Sequence, residues 1–301
     1  MCGIAGLVDL KRQLDSNELA LQAKQMADAL HHRGPDMGGQ WTDAPSGLAL
    51  AFRRLAIIDL TPSGHQPMLS ANGRFAIVYN GEVYNYQELR QQLLDDGCRF
   101  RGSSDTEVIL EAFCHWGIET TVKRLIGMFA IALWDCKARR LWLIRDRLGI
   151  KPLYFGSVDD RFFFASELKA LRTVNGWKPK VDCDAVAGFL RFNYIPAPRS
   201  IYRNVFKLPP GSLLSLRPGE DPAVARYWTM ADVIRQERAE VTDEWAIDAA
   251  EGLMRDAIRR RMVADVPLGA LLSGGVDSTT VAALMQAESD APIRTFTIGF
   301  E

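Results

Sequence analysis

From residue 3 to residue 166 the sequence is cut into short apolar runs, with only three helical stripes set between them. The runs at 3–10, 48–52, 75–79, 128–135, 141–145, 153–155 and 162–166 read as strands, several alternating apolar with small residues. Leu19, Ala23, Met26, Ala27 and Leu30 fall on one face of a helix over 18–30. Asp15 stands three residues before Glu18, the spacing of a capping box. Segments 86–95 and 106–116 supply the other helices, and 31–40 is a loop containing Gly and Pro. Many short strands with a few helices between them predict a mainly antiparallel α+β layered domain.

The pattern changes after a Pro- and Gly-rich stretch at 196–222 and a polar segment to 241. A long helical pattern opens at Thr242 and covers 245–262. An apolar strand at 267–272, a Gly-rich turn at 273–277, a helix at 278–288 and a strand at 293–300 follow. That β-loop-α-β order begins a parallel sheet. One helix and two strands do not close a doubly wound sheet. The expectation is therefore a first domain over 2–212, a linker over 213–240 and a truncated domain over 241–301. A length of 301 residues has room for two domains.

Composition narrows the function classes. The chain is 48% apolar and 24% charged, which excludes a disordered protein. Its 36 basic and 37 acidic residues give a net charge of −1, so no global field selects nucleic acid or an anionic membrane. No apolar run reaches the roughly 18 residues of a spanning helix, and the start lacks the basic-then-apolar pattern of a secretory signal. Five cysteines without a C-x-x-C pair argue against a disulfide framework or a zinc site and for reduced thiols in the cytoplasm. Cys98, Cys114, Cys136 and Cys183 are expected to pack as small residues.

Cys2 is a different case. Met1 precedes a small residue and is expected to be removed, leaving a thiol and a free α-amine on one residue. The thiolate is the nucleophile and needs a base. An α-amine titrates near about 7.7–8.0, against about 10.4 for lysine, so the terminal amine serves as that base without a histidine. Arg54 offers a planar fork for a carboxylate, or is a surface charge beside Arg53. Asn80 and Gly81 offer an amide and a backbone N–H for an oxyanion, and also fit a type I′ hairpin turn after a strand ending at Tyr79. Asp105 suits a substrate ammonium or caps a helix starting near Thr106, and Glu82 faces either way. Together these residues propose a site for a zwitterionic amino acid with amide hydrolysis at its far end.

A second site lies at Leu271-Leu272-Ser273-Gly274-Gly275-Val276-Asp277-Ser278, between a strand and a helix. Gly-rich N–H groups and a helix start form an anion cradle. The Walker lysine is absent, so the loop suits a released pyrophosphate, with Asp277 holding magnesium. The bland alternative is a Gly-rich cap with Ser278 as N-cap.

Several motifs stand in one order: Cys2-Gly3-Ile4, His32-Arg33-Gly34-Pro35-Asp36, Arg54-Leu55, Asn80-Gly81-Glu82-Val83-Tyr84-Asn85 and Ser104-Asp105. They continue through Arg145-Asp146-Arg147-Leu148-Gly149-Ile150-Lys151-Pro152-Leu153-Tyr154, Ala165-Ser166-Glu167, Lys207-Leu208-Pro209-Pro210-Gly211 and Asp265-Val266-Pro267. Over nearly its whole length the chain resembles the glutamine-dependent asparagine synthetases. The resemblance implies an N-terminal nucleophile hydrolase fold, an αββα layered sandwich of antiparallel sheets. It also implies the incomplete start of an α/β parallel-sheet ATP-pyrophosphatase domain after it. By the same resemblance Cys2 attacks the glutamine amide, and ammonia passes to a second site where it displaces AMP from adenylated aspartate.

Residue by residue, the resemblance implies that Asn80 and Gly81 form the oxyanion hole and that Arg54 holds the glutamine carboxylate. Glu82 and Asp105 take the ammonium, and backbone from Leu55 through Ile57 and Ile58 lines the pocket. Ser273, Gly274, Gly275, Asp277 and Ser278 hold pyrophosphate, and Leu271 and Ile298 meet adenine. Glutamine, aspartate and ATP are the implied substrates, with Mg2+ and no prosthetic group, and a homodimer is left open. Phe52 departs from the family, which often carries histidine there, and the family's synthetase domain continues past Glu301. Two alternatives remain: another carboxylate acceptor, such as a sugar acid of surface polysaccharide assembly, or a non-catalytic glutamine- or nucleotide-binding fragment.

Overall fold

The computed structural model describes residues 1–235 and 241–299, in two compact units that divide between Asp232 and Val233. The first unit contains twelve strands among its described residues. They are β1 (Gly3–Asp9), β2 (Met37–Asp43), β3 (Leu48–Arg54), β4 (Met68–Leu69), β5 (Phe75–Val83) and β6 (Gly127–Asp135). After these come β7 (Arg140–Arg145), β8 (Tyr154–Val158), β9 (Arg161–Ala165), β10 (Val205–Lys207), β11 (Ser212–Leu216) and β12 (Ala223–Arg226). One sheet has the order β10-β8-β9-β1-β3-β2, the other β12-β11-β7-β6-β5-β4, and every pairing is antiparallel.

The helices of this unit are α1 (Ser16–Asp28), α2 (Tyr86–Asp95), α3 (Asp105–Trp116), α4 (Ile118–Arg124), α5 (Leu168–Leu171) and α6 (Cys183–Phe192). The capping box forms at α1: the Asp15 carboxylate accepts from Asn17 N and Glu18 N, and the Glu18 side chain accepts from Asp15 N. The period-2 rule then builds the layers. Ile4, Val8, Leu50 and Phe52 of the first sheet meet Ala76, Val78, Ala132 and Trp134 of the second. The opposite faces carry Ala5 and Leu7 onto Leu19, Ala23 and Met26 of α1, and Ile77 and Ile131 onto α2 and α3. This is the αββα sandwich. Both faces of each sheet are covered, which is why β1 is buried at every position and reads as one apolar run.

Three expectations need correction. β5 runs straight through Asn80 and Gly81, which pair with Ala130 and Phe129 of β6, so Asn-Gly is no hairpin turn here. The ladder to β6 is a stronger constraint than the local turn preference. The expected loop at 31–40 already contains the start of β2, an edge strand with two glycines. The stretch expected as a linker carries β11 and β12, which extend the second sheet from β7. Their short, half-apolar runs among Pro and Gly hid the pairing. Residues 236–240 of that stretch lie outside the described residues.

A short helix, α7 (Met230–Ile234), leads out of the first unit. The second contains α8 (Asp243–Arg261), β13 (Gly269–Leu271), α9 (Val276–Ala287) and β14 (Arg294–Phe296). β13 and β14 pair in parallel, giving the expected β-loop-α-β unit. The last strand is shorter than expected, and its predicted end at Phe300 lies outside the described residues. No described helix is long and apolar enough to cross a membrane.

Candidate active site

Cys2 stands one residue before β1, where the end of β3, the end of β5 and the start of α3 converge on a cavity of about 150 Å³. That is well below the roughly 300–1,000 Å³ of sites for drug-sized ligands and suits a small molecule. Cys2, Arg54, Leu55, Ile57, Ile58, Asn80, Gly81, Glu82 and Asp105 all line it, so the structure brings together every residue expected in the first site. Leu55 N donates to the Cys2 Sγ at 3.4 Å. Arg33 Nε donates to the Cys2 carbonyl at 2.9 Å, and Ser166 Oγ accepts from Ile4 N at 3.0 Å. The backbone around Cys2 is therefore held at the Cys2 carbonyl and at the Ile4 N–H. Burial pushes the thiol pKa up, partly offset by the Leu55 N–H and the nearby N-terminal charge. Burial pulls the Met1 α-amine pKa down, with Arg33 and Lys151 adding to that direction.

Arg54 is only 4% exposed, so it is no surface charge. Its Nη1 donates to Thr61 O at 3.2 Å, and its Nη2 to Ile58 O at 3.4 Å and to Asp59 O. The loop after β3 thus wraps the guanidinium and sets its plane. Gly64 is required there, because a Cβ would come within 2.2 Å of Arg54 Nη2.

On β5 the alternation settles which groups face the cavity. Phe129 of β6 turns its N–H and C=O toward Asp146, so its partner Gly81 is in a non-hydrogen-bonded pair and directs its N–H to the other edge. Along that edge Phe75 N is bonded to Ser70 Oγ, Tyr79 N to Gln66 Oε1 and Val83 N to Asp105. Gly81 N–H lies between the last two, at the cavity. Beside it the Asn80 side-chain nitrogen is buried without a hydrogen-bond partner among the described residues. The Asn80 amide nitrogen and the Gly81 backbone thus share the cavity wall with the Cys2 thiol. Gly81 also allows close strand contact: a Cβ would meet Met128 O at 2.2 Å.

Asp105 is the first residue of α3, and Ser104 is its N-cap, accepting from Glu107 N at 3.2 Å. The capping alternative for Asp105 is thereby removed. Its carboxylate accepts from Tyr79 Oη at 2.7 Å and Val83 N at 3.2 Å. Burial, with Glu82 nearby, raises its pKa to about 6 despite those bonds. Sequence reasoning missed Gln66, Met128 and Lys151 as lining groups. Lys151 was visible within a motif, whereas nothing local marks Gln66. Phe52 is buried in the core between the sheets and is also among the residues lining the cavity, so an aromatic side chain stands where the resemblance would often have a histidine.

In the second unit Ser273, Gly274 and Gly275 follow β13, and Asp277 and Ser278 lie in the first turn of α9. The N-cap is Gly275, not Ser278, and it makes no side-chain cap bond. Ser278 Oγ instead accepts from Ser273 N at 3.2 Å and closes the loop. Gly274 has φ +80, which favours glycine, and a Cβ there would meet open space. The loop therefore leaves the helix N–H groups open to an anion. Leu271 and Ile298 are 78% and 79% exposed; Leu271 is the last residue of β13 and Ile298 follows the end of β14, so both lie at the carboxyl ends of paired parallel strands. Among the described residues no three His, Cys, Asp or Glu side chains group as a metal site.

A family described as glutamine amidotransferase domain matches residues 1–228. The chain belongs to this family. A second description, asparagine synthase, matches residues 249–301. Two proteins of Bacillus subtilis similar to this amidotransferase chain are asparagine synthetase [glutamine-hydrolyzing] 1 and 3. They are 34% and 33% identical over all of this chain and over 46% and 48% of their own lengths. Amidase chry2 of Gibberella zeae is 32% identical over 95% of this chain and 43% of its own. The chain thus spans about half the length of these relatives. Among solved structures, glutamine phosphoribosylpyrophosphate amidotransferase from B. subtilis matches with a TM-score of 0.56 at 17% identity, over 98% of this chain and 65% of that one. At that identity the likeness concerns the fold.

Proposed function

We propose that the first unit hydrolyses the side-chain amide of glutamine. The observation that carries this reading is the unpartnered Asn80 amide and the open Gly81 N–H beside the Cys2 thiol. After removal of Met1, the Cys2 α-amine takes the thiol proton and the sulfur attacks the amide carbon. The carbonyl oxygen becomes an oxyanion held by Asn80 and Gly81. The protonated amine gives its proton to the leaving nitrogen, ammonia departs, and a glutamyl thioester remains on Cys2. Water, deprotonated by the same amine, adds to the thioester; sulfur leaves and glutamate is released. Arg54 holds the substrate carboxylate, and Glu82 and Asp105 hold the ammonium.

For the whole protein, the names of its relatives support glutamine-dependent asparagine synthesis, and the reading takes aspartate and ATP as the substrates that receive this ammonia. Ser273, Gly274, Gly275 and Ser278 would cradle pyrophosphate, and the exposed Leu271 and Ile298 would meet adenine. Asp277 would give one carboxylate to Mg2+. That fits a metal that binds one or two carboxylates and completes its shell with water and phosphate oxygens. All five cysteines are free, consistent with the cytoplasm. The test of the first step is acid quench of the chain during turnover, with mass spectrometry of the N-terminal peptide. A glutamyl adduct on Cys2 is expected, and glutamate release with the adduct on another residue overturns the assignment.

A further inference from the structure

The motif from Arg145 to Lys151 is built to place one side chain. Arg145 donates through Nε to Lys151 O at 2.8 Å, through Nη1 to Leu208 O at 2.6 Å and through Nη2 to Gly149 O at 2.7 Å. The Asp146 Oδ1 accepts from Leu148 N and Ile150 N at 3.1 and 2.9 Å. Its Oδ2 accepts from Phe129 N and Lys151 N at 3.2 and 3.0 Å. Two buried charged side chains are thus committed entirely to backbone groups. What they present is Lys151, 5% exposed, on the wall of the Cys2 cavity. Its ammonium has no hydrogen bond and no ion pair among the described residues. A buried cation without a partner is costly, and such groups collect where charge has a task.

We propose that Lys151 is an electrostatic positioning group of the glutaminase centre: its ammonium favours the Cys2 thiolate and the neutral form of the adjacent α-amine. The inference rests on the glutaminase reading above. The charges facing this point come from several elements. Arg33 stands in the turn after α1, Asp36 just before β2, Arg54 at the end of β3, Glu82 on β5, Asp105 at the start of α3 and Asp146 after β7. On the cavity wall itself two cations, Arg54 and Lys151, oppose two carboxylates, Glu82 and Asp105. Arg54 is engaged by backbone carbonyls. Without Lys151 the wall becomes net negative, which raises the pKa of both the thiol and the amine. Burial lowers the pKa of Lys151, while Glu82 and Cys2 act to keep it charged.

The experiment measures iodoacetamide alkylation of Cys2 against pH, read by peptide mass spectrometry, alongside glutamate release. It uses the full 301-residue chain and its Lys151→Met and Lys151→Arg forms. Lys151→Met is expected to move the alkylation midpoint up by about one pH unit, the effect of one charge several ångströms away at intermediate dielectric. It also lowers kcat about tenfold near neutral pH, recovering at higher pH, with KM little changed. Lys151→Arg keeps the wild-type midpoint. An unchanged midpoint in a folded Lys151→Met chain overturns the proposal. If that form shows no cooperative melt, Lys151→Gln takes its place with the same criterion. Wild-type chain that releases no glutamate overturns the glutaminase reading instead, while the alkylation midpoint still decides the role of Lys151.

Discussion

Asn80 shows how one side chain distinguishes binding from rate. Its buried amide nitrogen has no acceptor among the described residues, so the Asn80→Ala chain loses none of their hydrogen bonds to that nitrogen. Steady-state kinetics on Asn80→Ala should show kcat reduced by roughly 10²–10³, the loss of one oxyanion donor, with KM nearly constant. A large rise in KM with kcat intact would place Asn80 on the substrate ground state instead. Asp105 makes the opposite kind of prediction. With its pKa raised to about 6, the carboxylate gains a proton as pH falls through that value. The glutamine KM should then rise several-fold between about pH 7 and about pH 5, and Asp105→Asn should have a high KM that is flat with pH. A wild-type KM flat over that range contradicts the role. The stability sign runs the other way. The folded pKa lies above the ordinary value of 3.8, so the folded chain binds the proton more tightly, and this group's contribution falls as pH rises from about 4 to about 6.

At the scale of elements, the cavity is made by segments whose own geometry is enforced elsewhere. Asp146 is fully buried and satisfies four backbone N–H groups from two segments. Asp146→Ala leaves those donors without it, and chemical denaturation should show a loss of at least about 3 kcal/mol. A loss within the ordinary range of surface substitutions would contradict the clamp. The same scale explains what could be read beforehand. Cys2 was legible because a cysteine at the second position, followed by the later motifs, points to a thiol that shares a residue with an α-amine once Met1 is removed as proposed. The strand through Asn80 and Gly81 was not, because Asn-Gly is a local turn signal and the pairing with β6 that overrides it spans about fifty residues. Ser104 as the cap of α3 was hidden by the acidic residue beside it, since either side chain has the chemistry of a cap. Gln66 was illegible because its partners, Tyr79 and Thr106, come from other elements.

For the whole molecule, the two units differ in how much core each owns. The three large apolar clusters lie entirely within the first unit, and Trp134, Phe52 and Phe113 are among their fully buried side chains. In the described part of the second unit the buried apolar residues are Ala270 and Met285, whereas Trp245, Ile247 and Leu253 are exposed. A chain ending at Asp232 should therefore melt in one cooperative transition, and the segment from 241 onward should not. Calorimetry of the two pieces checks this, and a molten first piece would contradict it. The layered sandwich was legible from strand density, while its end was misplaced because β11 is short and β12, beyond it, is a short edge strand.

The most direct test of the account is glutamate release from glutamine by the wild-type chain and by Cys2→Ala, with each N-terminus verified by mass. The account predicts steady release by a wild-type chain that begins at Cys2 and none above background from a Cys2→Ala chain with the same melting curve. Release retained in Cys2→Ala would contradict the assignment of the nucleophile.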